Sequence, residues 1–491
     1  MNNSPRRKFF KRLGLGVLSF SFLGKISLPA WAGGLPKTSS AKPLFFTTGF
    51  KLMEVSSDSV LVWTRVCGQE VPNPVRHERR AEVFRHPIDF DENMPVSQMD
   101  GGVQGAEGLV RVSLRNGDET HTSEWVQALG ENDFTVRLPF KGLKPATTYE
   151  VELLTKADEN APAGRALGSF VTAPAPDQEV PVLFTTSTCQ YFWSFDEDVR
   201  GFHSYDSMAS MRPDFFIQTG DYVYYDKPGP LAKNIEQARH KWHAMDAWPS
   251  LKDLFKDVPV FLMKDDHDLL KDDSNPASTP YGDRTFADGI SLWYQNVPLE
   301  DKPYRSIRWG KDLQIWMMEG REFRSPNNAP DGPDKTIWGS EQLAWLKQSL
   351  ESSDASFKIL VSATPIVGPD RDSKVDNHAN KAYEQEGEML RSYLSGVPNL
   401  FVVNGDRHWQ YVSKDLETGL MEFCSGPISD WHAQGWDADD VRPEHEFLRL
   451  KGGFLSVEVK RESSKPQITF THRDVMGRAV HEERINWKAL G

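Results

Sequence analysis

The pattern of hydrophobic and polar positions changes character near residue 174. Before it, residues 59–66, 109–114 and 134–138 carry apolar and polar side chains in turn, and Gly, Asn and Asp cluster between them. That is the period of half-buried strands joined by turns. Residues 171–177 read Val-Thr-Ala-Pro-Ala-Pro-Asp, a proline-rich linker. After it, short apolar runs at 182–186, 215–219, 258–263 and 400–403 alternate with helical patterns. Such alternation predicts an α/β core. The expected organisation is an all-β region over 43–174 and an α/β region over 180–491, with no internal repeat.

Within the first region, Leu143-Lys144-Pro145-Ala146-Thr147-Thr148-Tyr149 resembles the Leu-x-Pro-x-Thr-x-Tyr segment of immunoglobulin and fibronectin III-like sandwiches. In those folds the Tyr hydroxyl ties a turn to the backbone. The expectation is a small β-sandwich.

The N-terminus carries an address. Pro5-Arg6-Arg7-Lys8-Phe9-Phe10-Lys11 precedes an apolar run over 13–23 and then Ala30-Trp31-Ala32. A basic stretch, a short apolar stretch and small residues form a signal peptide, here expected to be cut after Ala32. The paired arginines resemble a twin-arginine signal; an ordinary secretory signal is the alternative. Residues 1–32 therefore predict engagement of the twin-arginine export machinery and a periplasmic or extracellular protein. No later segment is long and apolar enough to span a membrane.

Charge and cysteine content narrow the chemistry. Asp+Glu number 70 against 57 Lys+Arg, a net charge of −13. That balance argues against a nucleic-acid partner, since phosphate backbones select clustered cations. Three widely spaced cysteines do not make a disulfide framework. An acidic protein that handles anions must concentrate positive charge locally, and bound metal ions are one means.

The four apolar runs of the α/β region each end in metal-competent residues. They run into Ser187-Thr188-Cys189-Gln190, Gly220-Asp221-Tyr222-Val223-Tyr224, Lys264-Asp265-Asp266-His267-Asp268 and Asn404-Gly405-Asp406-Arg407-His408. Ligand sites in open α/β sheets lie at the carboxyl ends of strands. Carboxylates, a phenol, a thiol and an imidazole together suit a trivalent or divalent metal pair. Singly, each motif reads equally as a turn, an acidic loop or a core cysteine. Their joint order points to one site.

That order resembles the alkaline phosphatase D (PhoD-like) family of the metallophosphatase (calcineurin-like phosphoesterase) superfamily. The marks are Ser-x-Cys-Gln at 187–190, Asp-Tyr-x-Tyr at 221–224, Asp266-His267-Asp268, and Gly405-Asp406-Arg407-His408. The helix-like segment 338–346 and Glu422-Phe423 fit the same resemblance. It implies an αββα sandwich of two mixed sheets flanked by helices, with ferric iron and calcium as cofactors; zinc or manganese also suits parts of the donor set. It further implies Cys189, Tyr224 and His408 at iron, Asp221 as the bridge, and Asp265, Asp266 and Asp406 as further metal ligands. His267, Asp221 and Arg407 would be catalytic, with His267 beside the phosphoryl group. Asp268 would contact substrate or orient His267. Asn377 and His378 are candidates for phosphate or metal, with an exposed loop histidine as the alternative. His432 reads as structural or at the pocket rim, and the turn-rich segments 82–108 and 325–337 are candidates for shaping the mouth. Lys271-Asp272-Asp273 departs from the family's Asn.

The function so implied is exported, metal-dependent hydrolysis of phosphate monoesters or diesters by metal-activated hydroxide attack. Two alternatives are a phospholipase D-like or cell-wall-polymer phosphodiesterase, and a non-catalytic surface-binding protein with a decayed site.

Overall fold

A computed structural model describes residues 42–488. The signal peptide read over 1–32 lies outside the described residues. The first strands are β1 (Phe50–Met53), β2 (Ser59–Arg65), β3 (Gly108–Asn116), β4 (Glu119–Thr122), β5 (Val126–Ala128), β6 (Thr135–Lys141), β7 (Thr148–Lys156) and β8 (Gly164–Val171). Next come β9 (Val182–Ser187), α1 (His203–Met211), β10 (Phe215–Thr219), α2 (Ile235–Asp246), α3 (Pro249–Phe255), β11 (Val260–Met263) and α4 (Phe286–Asn296). Then follow β12 (Arg305–Trp309), β13 (Leu313–Met317), α5 (Gly339–Glu351), β14 (Phe357–Ser362), α6 (Glu384–Ser395) and β15 (Leu400–Asn404). The last strands are β16 (Gln410–Lys414), β17 (Met421–Ser425), β18 (His445–Arg449), β19 (Phe454–Glu462), β20 (Lys465–Arg473) and β21 (Ala479–Asn486).

Two large sheets face each other. One has nine strands in the order β21-β20-β19-β9-β10-β11-β1-β2-β6, the other seven in the order β12-β13-β14-β15-β17-β16-β18. Strands β10, β11, β14 and β15 are buried along their whole length. Runs buried on both faces are what parallel strands under helices require. Successive side chains point to opposite faces. Ile217 and Phe261 thus join Ile315, Ile359 and Phe401 between the sheets, while Phe216 and Leu262 pack outward with residues of α1–α4. Trp316, Leu360 and Val402 pack outward with α5 and α6. The layers are therefore helix, sheet, sheet, helix. Among the described residues no helix is long and apolar enough to cross a membrane.

The expected division between 174 and 180 is a change of pattern but not a break in the hydrogen bonding. β1 pairs in parallel with β11 through Met53 and Val260, and β2 and β6 extend the same sheet. An open β11 edge would leave backbone groups unpaired, and β1 covers it. The remaining early strands form a separate sheet, β4-β3-β7-β8 with β5 on β3. As expected from its motif, the Tyr149 hydroxyl accepts the Lys144 amide at 3.0 Å.

Candidate metal centre

The carboxyl ends of β9, β10 and β11, parallel neighbours in one sheet, meet the end of β15 from the other. The Cys189 amide donates to Gly220 O at 3.1 Å, Gln190 N to Asp221 O at 2.9 Å, and Asp406 N to Thr188 Oγ1 at 3.1 Å. Glycine permits the approach at two points. A Cβ on Gly220, at φ +112°, would sit 2.7 Å from Asp265 Cβ, and one on Gly405 would sit 2.3 Å from Thr219 O. Cys189, Asp221 and Asp406 themselves hold left-handed φ values of 51°, 58° and 64°. Strain of this kind persists only where the surroundings over-determine it, and it gathers at functional sites.

Three groups of potential ligand atoms, each within 4.8 Å of one another, share Asp221: with Cys189 and His408, with Asp266 and His267, and with Asp265 and Asp406. The Tyr224 hydroxyl donates to Asp221 Oδ2 at 2.9 Å and lies 3.2 Å from His408 Nε2. The Cys189 thiol lies 3.3 Å from the same carboxylate oxygen. Asp221 Oδ1 and Asp265 Oδ2 are buried without a hydrogen-bond partner, while Asp266 Oδ1 has the Arg321 guanidinium at 3.5 Å. Buried carboxylate oxygens left unpaired are costly, and cations are their natural complement. Burial holds the Asp221 and Asp265 carboxyls up, to about 7 and about 8, and it pushes the Cys189 thiol and Tyr224 phenol well above their ordinary values. Burial, with His432 and Arg407 beside it, keeps His408 neutral, the form that ligates. Thiol, phenol and imidazole on one side of Asp221, with carboxylates on the other, fit a softer or trivalent ion beside a hard one.

His267 Nδ1 lies 2.6 Å from Asp226 Oδ1, and Asp226 was not singled out from the sequence. The hydrogen bonds of Asp268 go to backbone amides and not to His267. Its carboxylate is buried and accepts the amides of Asp221, Val223 and Asp265 at 2.8, 2.9 and 2.8 Å. It is the clasp between the two ligand loops.

Arg407, expected among the catalytic groups, is 1% exposed on its side chain and paired with Asp370, Asp376 and Asp406. It positions Asp406 and does not project a free guanidinium. Arg321 plays the same part for Asp265 and Asp266.

Asn377 and His378 are not at the metal cluster. Asn377 is buried and donates to Asp370 and Asp376, while His378 Nε2 lies 2.9 Å from Glu386 Oε2 and the ring meets Trp338 edge-on. The polar segment 370–378 turns inward to satisfy Arg407, and this carries His378 into the helical layer. His432, by contrast, belongs to the site: its Nε2 lies 2.9 Å from the Tyr224 hydroxyl and its ring 4.4 Å from that of His408. From segment 82–108, Phe84 reaches 4.5 Å from the His432 ring.

A two-sheet sandwich whose facing strand ends share one buried carboxylate among potential metal ligands has the build of a metal-dependent phosphoesterase. The chain belongs to the PhoD-like phosphatase family, whose model matches residues 184–450. It is 23% identical over 474 residues to alkaline phosphatase D of Bacillus subtilis (strain 168), covering 84% of this chain and 72% of the relative. A solved structure of PhoD superposes with a TM-score of 0.67 at 18% identity, covering 91% of this chain and 90% of the other. Purple acid phosphatase PPD1 from yellow lupin (Lupinus luteus) seeds gives a TM-score of 0.58 at 11% identity, over 91% of this chain and 74% of the other. The protein is a phosphoesterase hydrolase.

Proposed function

We propose that the chain is an exported hydrolase of phosphate monoesters, diesters or both, built around Asp221 as the bridge of a mixed metal centre. The observation that carries this reading is the sharing of Asp221 by three groups of potential ligands. Iron would be held by Cys189, Asp221, Tyr224 and His408, with His432 braced against the Tyr224 hydroxyl. Calcium would be held by Asp221, Asp265, Asp266 and Asp406. Zinc or manganese would suit the carboxylates and imidazoles but makes less use of the phenol. When bound, the cations would neutralise the phosphoryl charge and acidify a coordinated water. Export would follow from the twin-arginine pattern at Arg6 and Arg7.

The chain's own groups do the rest. Asp226 holds His267 Nδ1 as a donor, and Nε2, 3.7 Å from Asp272 Oδ1, is the atom that would meet the leaving oxygen. His267 is the one imidazole of the cluster with carboxylates on several sides. Burial alone would lower its pKa, but Asp226, Asp266 and Asp221 raise it well above 6.5. Held by Asp226, its protonated form can pass a proton to a departing alkoxide. Arg407 and Arg321 hold the ligand carboxylates in place.

The test is to purify the exported protein, measure its metals and visible spectrum, and assay 4-nitrophenyl mono- and diesters with and without calcium. A coloured, iron-containing enzyme stimulated by calcium is expected, and Asp221→Asn should lose both metal and turnover. A metal-replete protein inactive on every ester would overturn the reading.

A further inference from the structure

Segment 78–92, from the early β region, forms an arm that brings Phe84 beside His408 and His432. Arg80 N donates to His86 O at 2.9 Å and Ile88 N to Glu78 O at 2.7 Å, closing a short turn with Phe84 near its tip. Each side of the arm is anchored. Arg79 donates to Trp193 O and Phe195 O at 3.2 and 2.6 Å, and its guanidinium stacks 3.4 Å from the Phe195 ring. Arg85 stacks 3.2 Å from the Trp431 ring, and Phe84 N donates to Trp431 O at 3.0 Å. The Glu92 carboxylate accepts the amides of Gly229 and Leu231, on the loop that also carries Tyr224 and Asp226.

These anchors hold Phe84 at φ +66°, a conformation unfavourable for a bulky L-residue. The half-buried ring stands 4.5 Å from His432 and 5.9 Å from His408, with Lys227 Nζ 5.0 Å from its centroid. The metal cluster itself is lined by carboxylates, a phenol, a thiol and imidazoles, which suit the phosphoryl end of an ester. The organic end needs carbon to lie against. Phe84, stacked on His86 at 5.8 Å and 6.2 Å from the Tyr191 ring, supplies aromatic carbon beside His408 and His432. Flat aromatic carbon matches a planar group better than a pair of acyl chains, which would need a long apolar trough.

We propose that Phe84 is a specificity-determining residue, contacting a planar aromatic leaving group so that the site prefers aryl phosphoesters to aliphatic ones of equal charge. This rests on the phosphoesterase reading above and deepens it. Aromatic pairing of this kind is worth about 2- to 10-fold in affinity.

The experiment uses the metal-loaded mature protein and its Phe84→Ala and Phe84→Trp variants. Binding of phenylphosphonate and methylphosphonate is measured by calorimetry, alongside kcat/KM for 4-nitrophenyl phosphate and glycerol 2-phosphate. The wild type should bind the phenyl compound more tightly. In Phe84→Ala the phenyl-to-methyl affinity ratio and the aryl-to-alkyl kcat/KM ratio should both fall about 2- to 10-fold, and Phe84→Trp should retain them. Unchanged ratios in Phe84→Ala, or equal weakening of both phosphonates with loss of metal, would overturn the proposal. A wild type that discriminates the phosphonates through Phe84 yet hydrolyses no ester would overturn the phosphoesterase reading while leaving the contact intact.

Discussion

Asp226 Oδ1 and His267 Nδ1 stand 2.6 Å apart and join the loop after β10 to the loop after β11. The pair occupies Nδ1 and leaves Nε2, 3.7 Å from Asp272 Oδ1, as the atom that would exchange a proton with substrate. His267→Ala should keep its metals and lose roughly 10²- to 10⁴-fold in kcat, the usual worth of a positioned acid. Asp226→Asn should lose less, because the ring keeps a polar partner. Metal analysis beside turnover checks both; metal loss in His267→Ala would make His267 a ligand.

Asp268 accepts three buried amide hydrogens, two from the Asp221 loop and one from Asp265. Removing the carboxylate strands those donors at about 1–3 kcal/mol each. Asp268→Ala should therefore cost several kcal/mol in denaturant unfolding and lower metal content together. Full metal occupancy with unchanged stability would show that the clasp is dispensable.

Metal removal should destabilise the fold. Asp221 and Asp265 each bury an oxygen with no hydrogen-bond partner. A ligand that binds only the folded state stabilises it by mass action. Chelation should lower Tm, and calcium added to the stripped protein should recover part of the loss. An indifferent Tm would mean that the carboxylates do not meet a cation.

Two buried histidines away from the candidate metal ligands contribute to loss of stability in acid. Burial lowers His240 and His472 to about 3. An unfolded histidine titrates near 6.5. Between those values the unfolded chain binds a proton that the folded chain refuses, so stability falls as pH drops below about 6.5. Each group contributes up to about 1.4 kcal/mol per pH unit in that window. His472→Gln, which can still donate to Cys424 O, should give a shallower dependence of unfolding free energy on pH from 6.5 to 4. An unchanged slope would show that His472 is not the group responsible.

The strand ends were legible because each candidate ligand follows closely on a buried apolar run: Cys189 after β9, Asp221 after β10, Asp265 and Asp266 after β11, Asp406 and His408 after β15. A residue one or two steps past a buried strand has few places to go. The partners were less legible. Nothing in the local sequence marks Asp226; His432 read only as structural or at the pocket rim, and Phe84 only as part of the turn-rich segment 82–108. His378 misled for the converse reason: it lies near Asp406 along the chain, but its segment folds under Arg407 and ends beside Glu386.

The sequence alone determined the helix–sheet alternation and the apolar runs of β2, β3, β6, β9, β10, β11 and β15, since these depend on local side-chain pattern; the roles of the candidate ligands that follow those runs came from the family resemblance. Only the tertiary structure decided that β1 closes the edge of β11, that Asp268 is a clasp and Arg407 a brace, and that an arm from the early strands sets Phe84 beside His408 and His432. Those outcomes depend on which unpaired backbone edges, carboxylates and guanidinium groups meet once the sheets face each other, and partners far apart in the chain leave no periodic trace in it.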